Sequence, residues 1–94
     1  MIRVLIERHI AETLEKAYEE RSRSVLRQAI GASGFVSGET LVNADDPNHR
    51  LTLCNWRSVA DWERWYQSPV RRQLLNELKP MMDQDERITV MMQS

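Results

Sequence analysis

An α+β fold, four antiparallel strands with two helices packed on one face, is predicted by three observations. The 94-residue chain has room for one domain, spanning 1–94. Its hydrophobic pattern switches between a period of two and a near-helical period in the order β-α-β-β-α-β. Glycine, proline and short polar residues stand at the switches. That order is the mark of the ferredoxin-like split βαβ unit.

The opening IRVLIER places Ile2, Val4 and Ile6 on one face and Arg3, Leu5 and Glu7 on the other, the alternation of a half-buried strand. From about Ala11 the period lengthens. Leu14, Tyr18, Val25 and Ala29 recur at helical spacing, and Gly31 stands where a helix would stop. GFVSGETLVNA, residues 34–44, reads as a second strand, ADDPNH as a turn containing His49, and RLTLCNW, residues 50–56, as the returning strand of a hairpin. Ser58 with Asp61 three residues on approximates a capping box and opens a short helix through Tyr66. Ser68 and Pro69 restart a second helical piece with Val70, Leu74 and Leu78 along one side, and Pro80 ends it. ERITVMM, residues 86–92, is the last strand.

The alternation assigns Val4, Ile6, Leu51, Leu53, Ile88 and Val90 to the face under the helices. Leu5, Glu7, His9, Thr52, Cys54, Trp56, Thr89 and Met91 then look away, a set too apolar for a fully solvated surface. A homodimer with its sheets face to face around a chamber is the expectation.

Composition excludes several classes. Hydrophobic residues at 41% and charged residues at 29% describe a soluble globular chain. No apolar run approaches the ~18 residues of a membrane span, and MIRVLIERH carries charges where a signal peptide is apolar, so no membrane partner and a cytoplasmic location are expected. Thirteen basic against fourteen acidic side chains, in no long block, argue against nucleic acid as a partner. Cys54 has no cysteine to pair with and reads as a small buried residue. Asp45, Asp46 and His49 read as turn residues, so no metal is expected. Met81, Met82, Met91 and Met92 read as adaptable packing at a helix or dimer contact.

All three tryptophans fall within residues 55–72. On a helix beginning after Ser58, Val59, Trp62 and Tyr66 share one stripe, which makes Trp62 core; Trp65 lies at the stripe's edge and Trp56 ends a strand. The strand ending in Trp56, then Ser58, and a short helix carrying Trp62 and Trp65 ahead of Ser68, resembles the antibiotic biosynthesis monooxygenase domain of the dimeric α/β-barrel superfamily. The resemblance spans essentially the whole chain.

It implies a homodimer whose sheets form a barrel, with a small-molecule pocket in each subunit between sheet and helices. Members include oxygenases of polyketide anthrones, quinol oxygenases, haem-degrading enzymes and signal-molecule isomerases. Several oxygenases use no metal or flavin, because a deprotonated phenol or anthrone can itself reduce dioxygen. The expectation is therefore a monooxygenase of an aromatic or quinol-like molecule with no cofactor. Trp65 and Trp56 would shape the pocket, Glu7 or His9 would move the proton and Asn55 would orient the substrate. The haem-degrading branch calls for an Asn on the first strand, a Trp on the short helix and a His ten residues later; the chain has Glu7, Trp65 and Leu75, so haem degradation is not expected. The alternative is a non-catalytic small-molecule-binding or assembly domain of the same fold.

Overall fold

The computed structural model describes residues 1–94. Alternation in the first segment produces β1 (Ile2–His9), whose even-numbered residues Ile2, Val4, Ile6 and Arg8 are all buried. A turn that takes Thr13 through φ 75° delays α1 (Glu15–Ile30) by four residues from the expected start. The helix buries Tyr18, Ser22 and Ala29 and ends with Gly31 as its C-cap, as the sequence predicts.

β2 (Phe35–Asn43) and β3 (Asp46–Trp56) form the hairpin. Its connection is two residues, not the six of ADDPNH, and a register irregularity between Val42 and Asn43 accommodates the tight link. His49 consequently lies within β3, not in a turn. α2 (Val59–Tyr66) begins at Ser58, whose Oγ accepts the Asp61 amide at 3.1 Å and donates to Asp61 Oδ2 at 2.9 Å. α3 (Pro69–Leu78) begins at Ser68, which caps the Arg71 amide. A 3₁₀ turn (Lys79–Met81) leads on to β4 (Arg87–Met92).

The sheet is antiparallel throughout, in the order β2-β3-β1-β4, with the helices against one face. This is the predicted ferredoxin-like fold, its second helix broken in two. Register corrects one assignment. Val4 pairs with Cys54 and Ile2 with Trp56, so Thr52, Cys54 and Trp56 face the helices, while Leu51 and Leu53 share the outer face with Leu5 and Glu7. The core therefore unites Ile2, Val4, Ile6, Ala29, Cys54, Trp56, Trp62 and Trp65. A second correction concerns α3, where Arg71 and Leu78 are buried and Val70 is 48% exposed. Its inward stripe is Arg71, Leu74, Leu75 and Leu78. Met81 and Met82 pack on a smaller cluster of Ile10, Tyr18 and Leu78, whereas Met91 and Met92 are exposed.

Candidate functional site

Two arginines break the apolar pattern of the core. Arg8 occupies the inward parity of β1 and Arg71 the inward stripe of α3; their side chains are 4% and 3% exposed. Such burial requires charge and hydrogen-bond partners. Glu86, just before β4, supplies both, receiving Arg8 Nε at 3.0 Å on one oxygen and Arg71 Nη2 at 2.7 Å on the other. Arg8 Nη1 also donates to the Tyr18 hydroxyl at 3.2 Å. The Arg71 guanidinium lies over the rings of Trp62 and Tyr66, at 5.7 and 4.9 Å from their centroids. Two cations thus share one carboxylate in a nearly dry space.

The titration of these groups follows from that arrangement. Burial penalises the Glu86 carboxylate, but Arg8 and Arg71 outweigh it and hold its pKa below the usual range. Burial works against the Arg8 charge as well, and Tyr18 and Glu86 reverse the effect. Burial pushes the Cys54 thiol upward, which makes it a poor nucleophile; its sulfur instead accepts Trp56 Nε1 at 3.3 Å.

The network borders two hollows on the helical side of the sheet. The inner one, about 30 Å³, is lined by Arg8, Arg71, Cys54, Trp56, Trp62 and Trp65, among others. It is the size of one water or diatomic molecule. Trp56 and Trp65 stack at 6.3 Å with planes 26° apart, and Trp62 meets Trp56 edge-on at 5.8 Å. The outer hollow, about 180 Å³, is a cleft between α1 and the β2-β3 hairpin. Tyr18, Ser22, Thr40 and Thr52 bring hydroxyls to its wall, and Glu19, Arg23 and Arg50 bring charges. Ser22 and Thr52 border both hollows, and the Tyr18–Arg8 hydrogen bond links their walls.

Of the residues singled out from the sequence, Trp56 and Trp65 therefore line the inner hollow. Glu7, His9 and Asn55 lie on the opposite face of the sheet. Glu7 is half-exposed, with an oxygen 3.9 Å from His49 Nε2. His9 bridges Asp83, at 2.8 Å from Nδ1, and Asp46, at 3.5 Å from Nε2; chiefly the Asp83 hydrogen bond raises its pKa. Asn55 donates to Ser37 Oγ at 2.9 Å, while its Oδ1 is buried without a partner beside a depression of about 250 Å³. Tyr18, Arg8, Arg71 and Glu86 were missed. The β1 alternation carries Arg8 on the parity of Ile2, Val4 and Ile6, a signal from which a buried charge could have been read; nothing in the sequence pairs it with a residue 78 positions away.

The model of the antibiotic biosynthesis monooxygenase family matches residues 1–76. No curated protein matches the chain. Among solved structures, an antibiotic biosynthesis monooxygenase superposes with a TM-score of 0.90 at 15% identity, covering 100% of this chain and 99% of the other. A conserved protein from Methanosarcina mazei Go1 gives 0.91 at 13% identity, covering 99% and 92% of the two chains. A mutant of SnoaB, a cofactor-independent oxygenase from Streptomyces nogalater, gives 0.85 at 13% identity, covering 98% and 92%. At these identities the superpositions establish the fold.

Proposed function

The chain belongs to the antibiotic biosynthesis monooxygenase family, and from that premise we propose that it oxygenates an aromatic, phenol- or quinol-like small molecule with dioxygen and without a cofactor. One observation carries the reading: the buried Tyr18–Arg8–Glu86–Arg71 network, with its excess of one positive charge, bordering both a cleft and a diatomic-sized hollow.

The phenol lies in the cleft and loses its proton to Glu19, the carboxylate on that wall. The phenolate passes one electron to dioxygen in the inner hollow, where the arginines stabilise superoxide in a water-poor space. The two radicals then join in a carbon–oxygen bond. As the O–O bond breaks, the ring proton leaves and joins the proton returned by Glu19 on the departing oxygen, giving a ring carbonyl and water. Substrate gives up four electrons and dioxygen accepts four, so no further reductant is needed. Tyr18 supports the peroxide as a hydrogen-bond donor, because its hydroxyl accepts from Arg8 and its own proton has no protein acceptor. Trp56 and Trp65 shape the hollow and exclude water.

A second reading rests on the unpartnered Asn55 Oδ1. In a homodimer with sheets face to face, Asn55 would orient a substrate in the chamber and Glu7 or His9 would move its proton. Oxygen uptake with a panel of quinols separates the two. Tyr18→Phe is expected to reduce turnover about 100-fold, the effect of losing one oxyanion donor, with Glu7→Gln unchanged. Full turnover in Tyr18→Phe with loss in Glu7→Gln would overturn the first reading. No uptake with any quinol would favour a binding module.

A further inference from the structure

The dimensions and charge of the cleft narrow the substrate class, an inference that rests on the reading above. A cavity of ~150 Å³ is filled by one benzene, and the cleft holds about 180 Å³. One substituted ring is covered by its walls, whereas three fused rings would extend past them into solvent.

Charge supplies the second restriction. The cleft wall bears Arg23 and Arg50 against Glu19. Arg50 is satisfied internally, with Nη1 on Glu19 at 2.9 Å and Nε on the Pro47 carbonyl at 2.6 Å. Arg23, on the exposed side of α1, has no ion-pair or hydrogen-bond partner and stands at the edge of the cleft. Behind the wall, Arg8 and Arg71 again exceed their single carboxylate. The cleft lining and the buried network behind it each count two cations to one anion, and the inner wall is rich in hydroxyls. A neutral quinol would use the hydroxyls and leave the charge unanswered.

We infer that the substrate is a single-ring dihydroxyarene bearing a carboxylate, bound with its hydroxyls toward Tyr18, Ser22 and Thr52 and its carboxylate toward Arg23. Anaerobic calorimetry with 2,5-dihydroxybenzoate, hydroquinone and 1,8-dihydroxyanthrone tests this without any turnover. The dihydroxybenzoate is expected to bind about fivefold tighter than hydroquinone at low salt, with the preference shrinking as salt rises. The anthrone, only partly covered by the cleft, should bind more weakly than either single-ring compound. Arg23→Gln, a change at an exposed helix position, should bring the two single-ring affinities together. Equal affinities in the unmutated protein, tightest binding by the anthrone, a preference that survives Arg23→Gln, or no binding at all would overturn the inference. Oxygen uptake, measured separately, tests the other reading. Selective binding without uptake would leave the substrate class standing and remove the oxygenase, whereas uptake with hydroquinone and no carboxylate preference would do the reverse.

Discussion

Replacing Glu86 by Gln should be among the most damaging single changes outside the apolar core. Gln keeps the shape and one acceptor but removes the charge that both Arg8 and Arg71 share, at 3.0 and 2.7 Å, in side chains only 4%, 3% and 10% exposed for Arg8, Arg71 and Glu86. Two guanidinium ions would then face each other without compensation. Breaking a buried pair in this way costs about 3–5 kcal/mol, against a total stability of about 5–15 kcal/mol for a domain of this kind. At about 4–8 °C per kcal/mol for a domain this small, the midpoint should fall by about 12–40 °C. Tryptophan fluorescence reports it directly, since Trp62 lies beneath Arg71.

The same carboxylate sets an acid limb. Its folded pKa is lowered by the arginines, so the stability it gives is complete above about pH 4.5, the ordinary value, and is lost as pH falls through the folded value. The unmutated protein and Glu86→Gln should converge in acid. Adding Arg71→Met to Glu86→Gln returns the buried charge to its original excess of one and should recover part of the loss. A Glu86→Gln midpoint within a few degrees of the original would show that the three groups behave as a solvent-screened surface pair and not as a buried network.

Two further outcomes follow from local geometry. His9 titrates above its ordinary 6.5 because of Asp83, so the stability it adds is complete below that value and is lost as pH rises through the folded value. Urea midpoints should decline as pH rises above about 6.5, and His9→Gln should flatten that limb; an unchanged slope would show that the His9–Asp83 pair adds no stability. Gly34 has φ 88°, and a Cβ there would lie 2.3 Å from Asp61 Cγ. Asp61 is itself held by Ser58 and Arg64, both at 2.9 Å, so Gly34→Ala should cost about 2–3 kcal/mol from backbone strain and a lost cap. A loss below 0.5 kcal/mol, on the order of an ordinary surface change, would show that the cap yields freely.

Much of the fold was legible because its signals are local. The alternation of Ile2, Val4 and Ile6, the Gly31 stop, and the Ser58 and Ser68 caps each act within a few residues, and the structure contains each of them. The facing of β3 was not legible. Leu51 and Leu53 on one parity and Cys54 and Trp56 on the other are all apolar, so alternation could not choose between them. Pairing with β1 and a two-residue hairpin turn made the choice.

The candidate site divides along the same line. Trp56 and Trp65 were visible as large aromatic residues near a helix start, and they do border the inner hollow. The charged network was invisible because Glu86 meets Arg8 and Arg71 only when β4 lies beside β1 and α3 brings Arg71 within reach. Element order, caps and amphipathic faces follow from the chain alone, since these depend on backbone propensity and short-range periodicity. Which arginines are buried, which carboxylate they share and where the hollows lie emerge only on packing. Those depend on contacts between residues far apart in the chain, whose strength comes from the dry surroundings that folding itself creates.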